Sequence, residues 1–292
     1  MKTGASRLTL KSFITRENSV VSVLLFVGLL LRLRQYFTER SLWIDEAMLA
    51  LNIVNRDFAG LFKPLDYDQG TPLGFLLVEK FFNMLLGKNE LVLRLFPLMA
   101  GLVALGLFYL LLKRTTNGSG LLIALALFAL NPRLVYYSSE VKQYILDVMV
   151  TVGLLLMTAR LFNGIPSKRD FVWFTLIGLL ALWFSHPALF VLAGIGLTLV
   201  LVYFQRRDYA SLRFSFSMGF IWVINLVFFY MLVLKDLRQN NFIHMYWQGG
   251  FAPLPPWRDL SWYVSTVNEN IRLQFGIPYM PQLVFGLMLI GW

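Results

Sequence analysis

The sequence predicts an all-α protein: a polytopic bundle of transmembrane helices, with amphipathic helices lying on the membrane surface. Of the 292 residues, 58% are hydrophobic and 14% are charged, and the mean hydropathy is +0.64. A soluble domain carries about 25% charged residues. Apolar segments long enough to cross a membrane recur along the chain, and the charges collect at their ends. These observations indicate an integral membrane protein.

Seven apolar segments are long enough, or nearly so, to cross about 30 Å of hydrocarbon as helices. The first begins at Val20 and reaches Phe37 by including Arg32 and Arg34, which we expect to snorkel to the outer interface. A cleaved signal peptide is disfavoured because no small-residue cleavage site follows this segment. The other six are Leu91–Leu112, Gly120–Tyr137, Val141–Phe162, Phe171–Ser185, Pro187–Phe204 and Leu212–Leu234.

Basic residues between these spans predict the orientation. They fall on the side shared with the N-terminus, and cytoplasmic loops are enriched in Lys and Arg. The basic tail of residues 1–19 is therefore predicted to be cytoplasmic, in a plasma (inner) membrane. The basic residues concerned are Lys113, Arg114, Arg160, Lys168, Arg169, Arg206, Arg207 and Arg213.

The predicted bundle covers residues 20–234, and its first external loop covers residues 38–90. A second external loop, residues 235–280, is rich in aromatic residues and proline, which suits an interface or an amphipathic ligand. Residues 281–292 begin another apolar run and stop, so we expect them to start a further span of a longer protein.

Two classes of function are disfavoured by composition. The net charge of +10 comes from basic residues between spans rather than from one aromatic-interleaved patch, so we expect no nucleic-acid partner. The chain has no cysteine, and its two histidines, His186 and His244, are far apart in sequence. A thiolate or histidine-rich metal centre is therefore not expected.

The first external loop gathers carboxylates, and a helix beginning near Asp45 is predicted within it. Spacings of i, i+7 and i+11 place Asp45, Asn52 and Arg56 along one strip. We predict an amphipathic helix on the membrane surface. Its expected apolar side consists of Met48, Leu51, Val54 and Phe58.

A second interfacial helix is predicted at Pro72–Leu86, since Glu79 and Lys80 interrupt its apolar character. The acids before it have two interpretations. Asp45 alone suits a helix N-cap. Together, the acids of this loop suit a general base or the ligands of a divalent cation, which remains a possible cofactor. The catalytic candidates are Asp45, Glu46, Asp66 and Asp68.

Two basic residues are candidates for binding a phosphate. Arg94 lies about one turn inside a span, where a cation either pairs with an anion or snorkels to headgroups. Lys142 lies in an external turn, as does Arg133, and either one would supply a fixed counter-charge. At helical spacing Glu140, Gln143, Tyr144 and Asp147 share a face, whereas Lys142 points elsewhere. From this face we select Glu140 and Tyr144 as substrate-binding candidates.

Four segments of the chain form an ordered set of motifs. They are WIDEA at 43–47, DYDQGTPLGFLLVEKFF at 66–82, ELVLRLFPLMAG at 90–101 and NPRLVYYSSEVKQYILD at 131–147. Together they resemble the N-terminal part of glycosyltransferase family 39, the protein mannosyltransferase and aminoarabinose transferase relatives with the GT-C fold. The resemblance covers roughly Val20 to Phe204. The double proline usual in the family is Thr71-Pro72 here, and the large C-terminal part of the family is missing.

The resemblance implies roles for single residues. Asp45 matches the family's catalytic base or acceptor-positioning carboxylate, and either Asp66 or Asp68 matches a second acid of the same loop. Arg94 and Lys142 are similar to basic residues that face the lipid phosphate.

The activity implied is inverting transfer of a hexose or pentose from a polyprenyl-phosphate donor to an acceptor hydroxyl on the external, periplasmic face. The acceptor is left open as a protein, a lipid or a glycan, and membrane lipid is the expected surrounding. A fragment of such an enzyme could be inactive. Two alternatives are a transporter or lipid flippase without bond chemistry, which calls for ionisable residues deep within spans and broken helices, and a structural or assembly subunit.

Overall fold

The computed structural model describes residues 3–162, 167–235, 245–246, 248–275 and 286. These divide into two compact units, Met1–Gln239 and Asn240–Trp292. The structure is 82% helical, and no strand occurs in the described residues, as expected for the all-α class. The helices are α1 (Thr3–Tyr36), α2 (Ile44–Asn55), α3 (Leu73–Leu86), α4 (Glu90–Thr115), α5 (Gly118–Leu130), α6 (Pro132–Tyr137), α7 (Tyr144–Phe162), α8 (Lys168–Phe184), α9 (Ala188–Gln205), α10 (Tyr209–Phe229) and α11 (Leu260–Phe275).

Five helical segments of the described chain are long and apolar enough to cross a membrane, which supports the prediction of an integral membrane protein. Each corresponds to one of the seven predicted spans. The helix α8 has 17 residues, about 26 Å at 1.5 Å per residue, and is shorter than the other spans. The five segments are Glu17–Tyr36, Glu90–Thr115, Tyr144–Phe162, Ala188–Gln205 and Tyr209–Val233.

The predicted span Gly120–Tyr137 is wrong as a single helix. It divides into α5 and α6 at Asn131, because Pro132 has no backbone N–H with which to continue the α5 hydrogen-bond ladder. The Asn131 side chain accepts hydrogen bonds from the backbone N–H groups of Arg133 and Leu134, at 2.9 and 3.1 Å, and so caps α6.

A buried arginine stabilises the end of α5. Arg32 on α1 is fully buried, and its Nη1 donates to the carbonyls of Gly28 and Ala129 at 2.9 and 3.1 Å. The last carbonyls of a helix have no partner within it, and Ala129 supplies one of these. The prediction that Arg32 snorkels to the interface is therefore wrong, whereas Arg34 is exposed.

The helix α2 forms as predicted, but the face predicted to be apolar is not the buried one. Leu51 and Phe58 are exposed, because the protein core takes the neighbouring face of the helix. Two of the residues on that face, Glu46 and Asn52, are polar and make hydrogen bonds with other segments. The buried residues of α2 are Glu46, Leu49, Ala50, Asn52 and Ile53.

The charged residues of α3, Glu79 and Lys80, do not point toward water as polar residues of an interfacial helix usually do. Both are buried on the side of α3 that faces the protein. The Lys80 ammonium donates to the carbonyls of Ile53 and Val54, at 3.0 and 3.2 Å, and so satisfies the C-terminal end of α2. The exposed side of α3 is apolar and includes Phe81, Met84, Leu85 and Leu86.

The helix α4 packs closely against the turn before α7, because the residues in contact there are small. A Cβ atom at Gly101 of α4 would overlap the side chain of Ser138, which is buried. Tyr36 at the end of α1 donates to the carbonyl of Leu91, at 2.8 Å, and ties α1 to the first turn of α4. The end of α1 therefore lies beside the first turn of α4, whereas the turn before α7 lies beside Gly101, about 15 Å further along α4.

The second unit contains α11 within the segment predicted as a loop, residues 235–280. Tyr263 of α11 donates from its hydroxyl to the carbonyl of Pro253, at 2.7 Å. Trp262 donates from its indole to the carbonyl of Gly249, at 3.0 Å. Aromatic residues thus hold the proline-rich stretch onto a helix. The prediction for residues 281–292 lies outside the described residues, apart from Gly286.

Replacement of Gly178 tests the packing of α8 against α10. A Cβ atom there would overlap the indole of Trp222, whose nitrogen donates to the carbonyl of Thr175 at 3.1 Å. We expect Gly178→Ala to lower the free energy of unfolding by about 1–3 kcal/mol through overpacking. Unfolding by sodium dodecyl sulfate in mixed micelles, followed by circular dichroism, measures the change.

The control is Gly194→Ala on α9, where an added Cβ meets no atom within 4 Å. There we expect no loss, and a gain of up to about 1 kcal/mol because alanine favours a helix more than glycine does. Equal effects of the two substitutions would contradict the packing described.

Candidate functional site

Two segments that are distant in sequence lie side by side at one end of the bundle. One runs from Arg40 into the first turn of α2, and the other is the turn from Ser139 to Lys142 that precedes α7. We call this pair the clamp. Four contacts between side chains or backbone groups join the two segments: Arg40 Nη2 to Ser139 O at 3.4 Å, Trp43 Nε1 to Glu140 Oε1 at 3.0 Å, Val141 N to Glu46 Oε1 at 2.9 Å, and Lys142 Nζ to Asp45 Oδ2 at 2.8 Å.

Glu46 is the centre of the clamp. Its carboxylate is fully buried. It accepts two hydrogen bonds from the Arg40 guanidinium, at 2.7 and 3.0 Å, and further ones from the backbone N–H groups of Val141 and Trp43, at 2.9 and 3.3 Å. Trp43, not Asp45, is the N-cap of α2, so the N-cap interpretation of Asp45 is wrong. Both carboxylate oxygens are occupied and Glu46 has no exposed surface, so it cannot contact a substrate. Its role is to position the groups around it.

Asp45, Gln69 and Lys142 form a closed triangle of polar side chains, which we call the triad. Lys142 Nζ lies 2.8 Å from Asp45 Oδ2 and donates to Gln69 Oε1 at 2.6 Å. Gln69 Nε2 donates to Asp45 Oδ1 at 3.1 Å. The Lys142 side chain is 6% exposed and that of Asp45 is 29% exposed. Asp45 is thus the member of the triad that reaches the surface.

The predicted helical face that separates Lys142 from Glu140 does not exist as drawn, because α7 begins only at Tyr144. Residues 138–143 form a turn, in which the backbone N–H of Lys142 donates to the carbonyl of Glu140 at 2.7 Å. The tight turn directs Lys142 toward Asp45. The helix assumed at Glu140 is therefore wrong, although Lys142 does point away from Glu140 and Tyr144, which line a cavity that Lys142 does not reach.

A strained loop delivers Gln69 to the triad. Tyr67 and Asp68 have φ values of 62° and 53°, in the left-handed region that residues other than glycine seldom adopt. The loop is held by Asn52, whose side chain donates to Asp66 O at 3.2 Å and accepts from Asp66 N at 2.9 Å. Because Asn52 lies one and a half to two turns after Asp45 on α2, one helix positions two members of the triad.

The two other predicted catalytic acids lie outside the triad. The Asp66 side chain is 64% exposed and pairs with Arg56 at 2.9 Å. Asp68 is exposed on the same loop. The side chain that this loop places next to Asp45 is therefore the amide of Gln69 and not a second carboxylate.

Arg94 is enclosed rather than snorkelling to headgroups. Its residue exposure is 1%, and its Nη2 donates to the carbonyl of Arg40 at 2.6 Å. Glu90, one turn earlier on α4, lies 3.8 Å from its Nη1. In this arrangement Arg94 supports the Arg40 end of the clamp and presents no surface to a phosphate.

A cavity of about 580 Å³ opens beside the clamp, within the usual size range of small-molecule sites, about 300–1,000 Å³. Glu140 and Tyr144, the two predicted substrate-binding residues, both line it. Glu140 is 2% exposed, and its Oε2 has no hydrogen-bond partner. The lining residues are Trp43, Pro132, Arg133, Tyr136, Tyr137, Glu140 and Tyr144.

Burial raises the pKa of Glu140 from 4.5 to about 7. The hydrogen bond from the Trp43 indole opposes this shift, as do the charges of Arg40 and Lys142, whereas the charge of Glu46 adds to it. The carboxyl in the cavity is therefore close to half ionised at neutral pH, and it becomes a full anion only above pH 7.

Three important residues were not among the candidates chosen from sequence: Gln69, Arg40 and Trp43. Trp43 and Gln69 both fall inside the motifs quoted above, and Gln69 precedes the Gly-Thr-Pro stretch that starts α3. Arg40 could also have been selected from sequence, because it is the nearest basic residue preceding the adjacent acids Asp45 and Glu46. Among the described residues, no group of three or more His, Cys, Asp or Glu side chains is placed to hold a metal ion. A divalent cation stays a prediction.

Removal of the Glu46 carboxylate tests whether the clamp stabilises the fold. We expect Glu46→Ala to lower the free energy of unfolding by about 3 kcal/mol or more, because it leaves Arg40 and two backbone N–H groups without their acceptor. Asp66→Ala is the matched control, since it removes an exposed ion pair of the same loop and should cost less than about 1 kcal/mol. Detergent-induced unfolding of both variants gives the comparison, and similar losses would contradict the role of Glu46.

Fluorescence of Trp43 tests the protonation of Glu140. Above pH 7 the carboxylate is charged and accepts the indole N–H more strongly than the neutral acid does. We expect the difference in emission between the wild type and Trp43→Phe to change with a midpoint near pH 7, and to be flat from pH 5 to 9 in Glu140→Gln. A midpoint near the ordinary value of 4.5 would show that Glu140 is solvated rather than enclosed.

The chain was compared with known proteins at three levels. No protein-family model matches it, and neither a curated protein nor a solved structure matches it significantly.

Proposed function

We propose that the chain is an integral-membrane glycosyltransferase of the GT-C type, which transfers a sugar from a polyprenyl-phosphate donor to an acceptor hydroxyl outside the membrane, with inversion. The observation that carries the proposal is the triad. Asp45, Gln69 and Lys142 come from three separate motifs of the sequence, and their side chains meet within 3.1 Å. A partly exposed carboxylate suits proton removal, and the buried ammonium held against it suits a phosphate that enters on the Asp45 side.

The proposed base is Asp45. The acceptor hydroxyl gives its proton to the Asp45 carboxylate while its oxygen bonds to the anomeric carbon of the donor. The bond between that carbon and the phosphate oxygen breaks, its electron pair stays on the oxygen, and polyprenyl phosphate leaves. Because the acceptor attacks from the face opposite the leaving group, the configuration inverts. The partial exposure of Asp45, 29%, gives an acceptor access to it.

Lys142 is the proposed phosphate ligand. An ammonium has three N–H donors, and two of those of Lys142 are directed to Asp45 and Gln69. The third is available to the phosphate of the donor, whose negative charge increases as the sugar leaves. Gln69 holds the ammonium and the carboxylate in register, so it is proposed as a positioning residue, together with Glu46, Arg40 and Arg94.

The orientation across the membrane is also a proposal, and it rests on α4 and α7. The helix α7 begins directly after the clamp, and Arg94 near the beginning of α4 contacts the clamp. Both helices end in basic residues, namely Lys113 and Arg114 on α4 and Arg160 on α7. Lys113 lies about 29 Å along α4 from Arg94, nearly the thickness of the hydrocarbon. With the basic ends on the cytoplasmic side of a plasma (inner) membrane, the triad would lie near the external interface.

The alternative function, a transporter or lipid flippase without bond chemistry, fits the charged residues less well. A transporter calls for ionisable residues deep within spans. The enclosed Arg32 is such a residue, but two of its hydrogen bonds go to helix carbonyls, which gives it a structural task. The charged groups of the triad instead lie at the ends of helices, where a lipid-linked head group meets water.

Asp45→Asn tests the proposed function. Loss of a general base costs about 10²–10⁴ in rate, so we expect membranes with this variant to transfer labelled sugar from a polyprenyl-phosphate donor at least 100-fold more slowly. Asp66→Asn and Asp68→Asn are matched controls from the same face, and we expect them to change the rate by less than about threefold.

Unchanged transfer in Asp45→Asn would remove the proposed base. A loss that follows Asp68→Asn instead would transfer that role to the neighbouring loop. Circular dichroism of each purified variant distinguishes a chemical effect from failure to fold.

A further inference from the structure

The walls of the cavity beside the clamp are mainly aromatic. Trp43, Tyr136, Tyr137 and Tyr144 line it. Aromatic faces bind apolar C–H groups and cations, whereas the hydroxyls of tyrosine add hydrogen-bonding capacity at the edges of the rings. Such a surface suits a ligand that is apolar on its faces and polar around its rim.

The aromatic walls are fixed before any ligand arrives. The Trp43 indole is held by its hydrogen bond to Glu140 Oε1 at 3.0 Å. Tyr136 carries the Arg40 guanidinium 4.4 Å from its ring centre. Tyr137 lies 5.1 Å from Tyr144 and 6.2 Å from Tyr136, measured between ring centroids. A preformed pocket binds without an added cost for ordering its side chains.

One buried polar atom in the cavity lacks a partner. Glu140 is 2% exposed, and its second oxygen, Oε2, receives no hydrogen bond from the described residues. A buried acceptor without a donor costs about 1–3 kcal/mol. Because Oε2 itself has almost no accessible surface, a donor reaches it only when the Glu140 carboxyl turns toward the cavity. A ligand hydroxyl that does so would recover this cost, which favours an O–H donor.

The charges around the cavity are of both signs, so they select neither an anion nor a cation. Glu140 disfavours an anion beside it when it is ionised, whereas the nearby guanidinium groups would attract one. Arg133 lines the same cavity, and Arg40 lies against Tyr136, so two guanidinium groups disfavour a quaternary ammonium. An uncharged polyhydroxyl ring satisfies the aromatic walls and the free carboxyl oxygen without conflict with either sign of charge.

We propose that this cavity binds a neutral sugar ring of the acceptor, so that the acceptor class is a glycan or glycolipid rather than a peptide. Naming the ring as acceptor rests on the proposed function. Trp43, at the mouth, is 44% exposed, which gives access from outside. Trp43 lies two residues before Asp45, and Glu140 two residues before Lys142, so the sugar ring would lie beside the triad.

Direct binding of simple glycosides tests this inference without any need for transfer. The full chain is placed in nanodiscs of phosphatidylglycerol, because maltoside detergents and choline lipids would themselves compete for the cavity. Methyl α-mannoside, methyl β-glucoside and methyl N-acetylglucosaminide are each titrated and followed by saturation-transfer NMR. Choline and inorganic phosphate serve as probes of the two charged ligand classes.

We expect at least one glycoside to bind saturably and to be displaced by neither choline nor phosphate. Glu140→Gln and Tyr137→Leu should each weaken this binding by at least about tenfold, equivalent to about 1.4 kcal/mol. Tyr209→Leu, an exposed tyrosine outside the cavity, is the matched control and should bind as the wild type does.

Absence of saturable glycoside binding, displacement by choline or phosphate, or equal binding in the cavity variants would overturn the inference. These outcomes are separable from the proposed function. Glycoside binding with unchanged transfer in Asp45→Asn refutes the base and leaves the sugar site. Loss of transfer in Asp45→Asn without glycoside binding leaves the transferase and refutes the acceptor class.

Discussion

The enclosed carboxylate of Glu46 is the interaction on which the candidate site depends. It joins Arg40 and the beginning of α2 to the turn before α7, where its partner Val141 lies 95 residues away in sequence. A buried carboxylate is stable only when its charge and its lone pairs are satisfied. Here a guanidinium supplies the charge and backbone N–H groups supply the remaining donors. The hydrogen bonds of the Glu46 carboxylate therefore fix the position of the two clamp segments relative to each other.

The consequences of that constraint reach both parts of the site. With the segments aligned, Asp45 meets Lys142 and Trp43 meets Glu140, so the triad and the aromatic cavity are produced by one alignment. Arg94 supports the same arrangement from α4 by its bond to the carbonyl of Arg40. Arg94, predicted to bind a phosphate, thus stabilises the clamp instead. The neutral side chain of Gln69, which was not predicted, takes part in the triad.

Sequence predicted the parts of the fold that follow from composition and length. The long apolar helices were predicted because hydrocarbon thickness sets their length, and α2 was predicted from its spacing of polar residues. The break at Asn131 was missed because hydropathy does not register the lost N–H of Pro132. Arg32 was misplaced because a polar residue in an apolar run can turn inward to a free helix carbonyl, as Lys80 also does.

The site was predictable by residue type but not by geometry. Asp45 and Lys142 were both chosen from sequence, yet helical spacing gave only the separation of Lys142 from Glu140 and Tyr144 and could not give its contact with Asp45. Gln69 was overlooked because its position depends on left-handed backbone at Tyr67 and Asp68, which nothing in those residue types foretells. Tertiary contacts such as these are fixed by closure of the chain, not by local pattern.

The contact between Asp45 and Lys142 can be measured directly by a double-mutant cycle. The free energies of unfolding of Asp45→Asn, Lys142→Met and the double variant are compared in mixed micelles. Two groups in contact should show a coupling of at least about 0.5 kcal/mol, with the double variant less destabilised than the sum of the single ones. Additive effects would mean that the two side chains do not touch, and the proposed site would then have no centre.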